Sequence, residues 1–260
     1  MLTYMRSLLQ YRELLYFLTL REIKAKYKQT LLGVAWTVLQ PLAMITIVTV
    51  VFSYFAKIPS DGKPYAVFAF CAMLPWQFFA GVLGRGVGSL LGNQNLVQKV
   101  YFPREIIPFA IVASATVDFA IGGLSFFVLL CFYESAVRLY WLMIIPVFAI
   151  QVCFMIGLIL FLSPMNVFYR DISHVMPLLT QVWMYATPII YPVSLVPERF
   201  RFFYFLNPMA GVIDAYRQIL LHHSPPDFTS LSMAAAVAFT MLALGMVYFK
   251  RVEFKLADVL

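Results

Sequence analysis

The sequence predicts an all-α membrane protein with six transmembrane helices per chain, an N-terminal amphipathic interface helix, and two short re-entrant helices between spans five and six. Three observations carry that prediction. The chain is 62% hydrophobic and 12% charged, whereas soluble domains run near a quarter charged. A chain of 260 residues cannot hide that much apolar surface in a core, so its solvent is lipid. Charge-free runs recur, the first over residues 29–56, and at about 1.5 Å per residue that run crosses a hydrocarbon layer of about 30 Å. Lys and Arg crowd one set of loops, the asymmetry that orients membrane helices.

Residues 1–28 form a cytoplasmic element of their own, ahead of a single transmembrane domain over 29–260. In "YRELLYFLTLREIKAKYK" the apolar Leu14, Leu15, Phe17, Leu18 and Leu20 alternate with Arg12, Glu13, Arg21 and Lys24, as a helix lying in the membrane surface requires. Its charges are scattered instead of preceding one apolar stretch, unlike a cleavable signal peptide, so the segment is expected to stay. Span one covers about 34–56 and is followed by the turn-rich loop "KIPSDGKP". Span two covers about 65–91. The polar return "NQNLVQKVYFPREIIP" (93–108) leads into span three, about 106–131, interrupted only by Asp118. "ESAVR" (134–138) is a short outer loop. Span four runs over about 141–165 and returns the chain at Asn166, Arg170 and Asp171. Span five covers about 174–191, and span six, about 231–249, ends in "KRVEFKLADVL".

Residues 193–230 are apolar enough to tempt a seventh crossing, and the charges argue against it. With six spans the inside holds Arg6, Arg12, Arg21, Lys24, Lys26, Lys28, Lys99, Arg104, Arg170, Lys250, Arg251 and Lys255. The outside holds Lys57, Lys63, Arg138, Arg199, Arg201 and Arg217. A seventh span would move the C-terminal basic cluster to the wrong face. The lead-in prolines 188, 192 and 197, the Asn207-Pro208 turn, and an Asp214/Arg217 pair one helical turn apart fit two short re-entrant helices within 193–222. Such backbone survives at membrane depth only inside protein or beside a water-filled cavity.

Several chemistries are excluded. No G-x-x-x-x-G-K-[ST] pattern occurs, so ATP chemistry, if used, must come from another chain. Within the spans Arg85 and Asp118 are nearly the whole ionisable content, too little for the proton relays of ion-coupled carriers. Asp118 marks either a functional site or a buried pair with Arg85, and Arg85 either snorkels to the interface or faces a cavity. Cys71, Cys131 and Cys153 sit in apolar runs without metal-ligand spacing and read as buried thiols. His174, His222 and His223 lack a metal site's neighbours, so no metal and no catalytic residue is assigned. The net charge of +7 points to a membrane surface rather than nucleic acid. Aromatic groups "PWQFF" (75–79) and "FRFFYF" (200–205) fall near the outer face in this topology, as an interfacial belt or as an exit lining.

The segments "LREIKAKYKQTLLGVAWTVLQPL" (20–42), "LPWQFFAGVLGRGVGSLLGNQNLVQKVYFPREIIP" (74–108), "NVFYRDI" (166–172), "TPIIYP" (187–192) and "LNPMAGVIDAYRQILL" (206–221) resemble ABC-2 type permeases that export lipid-linked polysaccharide, with the O-antigen export permeases nearest. The resemblance spans the whole chain. It implies a bacterial inner-membrane homodimer with both termini cytoplasmic and two copies of an ABC ATPase subunit, which bind the ATP and Mg2+. It also implies a polyprenyl-pyrophosphate-linked glycan as cargo and O-antigen export for lipopolysaccharide biosynthesis as the role. Teichoic-acid and capsular exporters share the architecture, and a membrane enzyme or scaffold acting on lipid-linked sugars is the remaining alternative. Under the resemblance, Lys24, Lys26, Lys28 and Arg85 receive the lipid headgroup, with Gly33 and Trp36 joining the basic helix to span one. Without it, the lysines are a positive-inside anchor. Lys99, Tyr101, Arg104 and Glu105, with Arg170 and Asp171, dock the ATPase. Trp76, Phe78, Phe79, Tyr185 and Tyr191 line the channel or exit.

The six-span reading is tested by cysteine labelling in a background lacking the three native thiols. Ser60→Cys and Ser224→Cys are expected to react with an impermeant thiol reagent in intact spheroplasts. Protection of Ser224→Cys together with labelling beside Asp258 contradicts it.

Overall fold

A computed structural model describes residues 10–28, 33–133 and 139–259. The expected outer loop 134–138, residues 1–9 and residues 29–32 lie outside the described residues. The elements in chain order are α1 (Arg12–Tyr27); α2 (Trp36–Thr49), continued by π-helical turns over Val50–Phe55; α3 (Tyr65–Gly86); the short α4 (Ser89–Gly92) and α5 (Gln94–Lys99); and α6 (Ile106–Tyr133). There follow α7 (Ile144–Phe168), α8 (Asp171–Tyr185), α9 (Glu198–Phe205), α10 (Pro208–Leu220), α11 (Phe228–Val252) and α12 (Leu256–Val259).

Five stretches among the described residues are long and apolar enough to cross a membrane: Val38–Phe55, Tyr65–Gly86, Ile106–Tyr133, Tyr140–Phe168 and Phe228–Lys255. The segment read from sequence as span five differs. It is α8, only 15 residues or about 22 Å long, followed by turns over 186–192. The stretch looked longer in sequence because those turns are apolar too. Span two is shorter than expected, since α3 stops at Gly86 and a bend precedes α4.

α3 is the central helix. Most of its side chains are buried because α2, α6, α7, α8 and α10 all pack around it. α7 and α11 lie against each other along their length, and their backbones meet at Gly157 and Gly245. A Cβ on Gly157 would sit 2.5 Å from the Leu242 backbone nitrogen. Without a hydrophobic force between helices in lipid, such close backbone approach is what holds a pair together. Asp227 caps α11, accepting from the Thr229 and Ser230 N–H groups at 3.0 and 3.2 Å. Partial burial pushes its carboxyl up, but these bonds outweigh burial and hold it below the usual carboxylate range.

A second core lies at the basic end of the bundle. There Leu18 of α1, Leu90, Val97, Phe102, Ile106, Ile107, Phe249 and Leu256 are buried together. It gathers α1, the 93–105 return and the C-terminal turn. α1 runs lengthwise against α6, and its apolar residues are poorly segregated: Leu18 is buried while Tyr16 and Phe17 are exposed. Gly33, which follows the segment outside the description, has φ of 51°, a conformation costly for any residue with a Cβ.

At the opposite end the non-helical turn 186–192 is held by side chains from elsewhere. Arg217 donates to the carbonyls of Ile189 at 2.8 Å and Tyr191 at 3.2 Å, and Tyr65 donates to Ile190 O at 2.8 Å. Asn207 accepts from Trp183 Nε1 at 2.8 Å and donates to Thr187 Oγ1 at 2.9 Å. The guanidinium lies 3.6 Å from the centre of the Phe68 ring, a contact worth about 2 kcal/mol when desolvated. The Asp214/Arg217 pair expected from sequence is replaced by this arrangement: Asp214 instead accepts from Gln218 at 2.7 Å. Cys131 is another departure, an exposed thiol on the outward face of α6.

Gly245→Ala places a methyl against the Gly157 carbonyl and is expected to destabilise the fold by about 1–3 kcal/mol. Thermal unfolding in detergent reads this. An unchanged midpoint would show that the helices have room to separate.

Candidate functional site

The site forms where three helices end or cross. Arg85 occupies the last turn of α3 and Lys26 that of α1. Asp118 lies on α6 well past the turns that pack on α1 near Leu18. Between them is a cavity of about 470 Å³, lined by Lys26, Gln40, Gln77, Arg85 and Asp118 on its polar side, and by Leu74, Phe78, Phe119 and Gly122 on its apolar side.

Two cations face one carboxylate here. Lys26 Nζ lies 2.8 Å from Asp118 Oδ2, and the Tyr27 hydroxyl donates to Asp118 Oδ1. The Arg85 guanidinium is 3.9 Å from Asp118 Oδ2, with long contacts of 3.4 Å to Ser114 Oγ and to Gly81 O. Sequence alone points to Arg85 as the partner of Asp118, but Lys26, 92 positions away, holds the closer contact. The available signal was electrostatic: a lone carboxylate in an apolar run needs a cation, and the densest cationic cluster in the chain is 21–28. Lys24 and Lys28 are exposed and do not line the cavity.

On the other face of α3 a second cavity of about 340 Å³ is lined by Trp76, Met176, Thr180 and Gln181, among others. Ala80 and Gly84 line both spaces, so α3 divides them with its smallest residues.

The "PWQFF" aromatics, expected near the outer face, are buried within the bundle. Trp76 lies midway along α3 with 5% of its surface exposed. Its ring centre is 5.2 Å from that of Phe79, which meets Trp183 at 5.0 Å and Phe154 at 5.8 Å. Phe78 stacks between Phe119 and Phe148 and edges the first cavity. These rings are core, because the central helix has neighbours on every side. Pro75, inside α3, presents its carbonyl to Gln151 Nε2 at 2.7 Å, and Gln151 accepts in turn from the Tyr216 hydroxyl at 3.3 Å. This buried chain joining α3, α7 and α10 had no sequence signal. Tyr185 is exposed, and Tyr191 donates to its carbonyl at 3.0 Å.

The 93–105 return divides in two. Lys99 is exposed and Tyr101 is 90% exposed. Arg104 bonds Glu253 through backbone and guanidinium, while Glu105, 1% exposed, pairs with Lys250 at 2.7 Å. Its carboxylate is therefore turned away from any surface the return presents. Arg170 and Asp171 are exposed on a turn fixed by buried Asn166, which accepts from Ser173 N–H at 3.0 Å and donates to Val87 O at 3.2 Å.

The model of the ABC-2 type transporter family matches residues 13–221. The chain belongs to the ABC-2 type transporter family. It is 30% identical over 244 residues to the O-antigen export system permease protein RfbA of Myxococcus xanthus, covering 93% of each chain. To the RfbA protein of Klebsiella pneumoniae it is 28% identical, covering 95% of each. It is 22% identical to the polysialic acid transport protein KpsM of Escherichia coli, covering 91% of this chain and 92% of that one. Membership accounts for a chain with several apolar helices long enough to cross a membrane, and the match covers every described residue that lines the charged cavity.

Proposed function

We propose that the chain is the membrane subunit of an ATP-driven exporter that moves undecaprenyl-pyrophosphate-linked O-antigen across the bacterial inner membrane. It acts as a homodimer with two ATPase subunits that bind ATP and Mg2+. The observation that carries this reading is the end-to-end similarity to O-antigen export permeases, and the charged cavity gives it a physical basis. A lipid diphosphate needs cations at the depth of the interface and an apolar surface just beyond them. Lys26 and Arg85 offer the first, Leu74, Phe78 and Phe119 the second.

In this account the basic end faces the cytoplasm, since Lys and Arg near span ends favour that side. The chain then crosses six times, with α8 and the turns after it completing the fifth crossing. α9 and α10 return to the outer side, and α1 lies at the inner surface. The exposed part of the return, Lys99 and Tyr101, docks the ATPase together with Arg170 and Asp171. The similarity to polysialic acid transport proteins favours a second reading, capsular polysaccharide as cargo, with the same architecture.

Co-reconstitution with an ATPase encoded beside it tests the proposal. Hydrolysis is expected to rise only when both chains are present, and Lys99→Glu with Tyr101→Ala is expected to lower that stimulation several-fold while the permease elutes as folded dimer. Both substitutions avoid Arg104, whose bonds to Glu253 are structural. Stimulation that persists in the double variant contradicts the docking assignment. Absence of stimulation by the unaltered chain contradicts the exporter itself.

A further inference from the structure

We propose that Asp118 is an internal stand-in for the anion this cavity accepts, so that a phosphate ester enters by displacing the Asp118 carboxylate from Lys26 and Arg85. The proposal rests on the export reading for the identity of the ester, a polyprenyl diphosphate head, and on the geometry for everything else.

Among the described residues Asp118 is the single carboxylate lining the cavity, against two cations. Those cations are differently engaged. Lys26 is closely paired at 2.8 Å, whereas the Arg85 guanidinium stands 3.9 Å away and makes only long contacts with Ser114 and Gly81. A guanidinium is a planar fork suited to two oxygens of one phosphate, and one carboxylate shared with a lysine does not fill it. Both cations retain solvent exposure, 44% for the Lys26 side chain and 34% for that of Arg85, so an incoming anion can reach them. The space is ample, about 470 Å³. Its apolar wall distinguishes a lipid head from a free ion, because Leu74, Phe78 and Phe119 offer surface to the first isoprene units.

Carboxylate and phosphate repel one another, so both cannot hold the same cations at low cost. Exchange therefore has a mechanical consequence. Lys26 and Tyr27 are the end of α1, and their bonds to Asp118 tie that end to α6. Displacing the carboxylate unties it. The other part of α1 stays anchored through Leu18, buried with Phe102 of the return and Leu256 of the C-terminal turn. Occupancy of the cavity is thereby reported to the segment that carries Lys99 and Tyr101.

The test is calorimetric titration of the purified full-length chain with farnesyl diphosphate, inorganic diphosphate and farnesol. Asp118→Asn removes the competing charge and keeps the shape. It is expected to tighten farnesyl diphosphate binding about fivefold, the size of one partly exposed ion pair, to tighten inorganic diphosphate by a similar factor from a weaker start, and to leave farnesol unchanged. Lys26→Gln and Arg85→Gln are expected to weaken both diphosphates. Equal starting affinities for farnesyl and inorganic diphosphate would overturn the lipid-head assignment. Unchanged or weaker diphosphate binding in a folded Asp118→Asn chain would overturn the exchange. If that variant does not fold, Tyr27→Phe, which loosens the carboxylate without altering charge, must tighten farnesyl diphosphate about twofold, and no change overturns the proposal. Such failures with ATPase stimulation intact sink the exchange alone, whereas lost stimulation in the unaltered chain sinks the export reading.

Discussion

Backbone that leaves a helix within lipid must find its hydrogen bonds inside the protein, and the architecture is organised around one place where it does so. Inside the turn over 186–192 the Ile189 N–H donates to the Thr187 carbonyl at 2.7 Å, and other polar groups of the turn find partners elsewhere in the protein. It is served by Arg217 of α10 and Asn207 at the head of that same helix, and by Tyr65 at the start of α3. Serving it brings α10 inward until α10 packs on α3, α7 and α11, and it makes α3 the buried centre. A buried guanidinium is tolerated there because carbonyl oxygens and the Phe68 ring face replace its water.

Once α3 is central, its ends decide where chemistry is possible. One end is sealed by the turn just described. At the other, α3 stops at Gly86 while α6 extends beyond it to pack on α1, and the mismatch leaves the cavity between Lys26, Arg85 and Asp118. The charges are tolerated there because each keeps some exposure. The neighbouring core of Leu18, Phe102 and Leu256, with the Glu105–Lys250 pair, makes α1, the 93–105 return and the C-terminal turn one mechanical body. In the proposed exporter this body lies between the docking surface and the cargo entrance.

Much of this was legible from sequence, and the failures share a cause. Charge-free runs locate α2, α3, α6, α7 and α11 because in lipid composition alone separates buried from wet. The same signal read 174–191 as one continuous stretch, where α8 ends at Tyr185 and turns follow, since apolar turns and apolar helix are indistinguishable by hydropathy. It also placed Trp76, Phe78 and Phe79 at an interface, where aromatic residues are common, when the central position of α3 makes them core. Lys26 was found as a charge but not as the partner of Asp118, because that contact depends on α1 lying along α6. Glu105 was grouped with the exposed return, and only the position of Lys250 shows it facing inward. Gly157 and Gly245 carried no visible pairing, since their meeting is a property of two backbones.

The account stands most directly on where the cargo's diphosphate rests. A cryo-EM structure of the permease with its ATPase and a short lipid-linked diphosphate would locate it. The account predicts phosphate density within hydrogen-bond distance of Lys26 and Arg85, the Asp118 carboxylate turned away, and the end of α1 moved from α6. Density elsewhere, or an intact Lys26–Asp118 pair beside a bound headgroup, would contradict it.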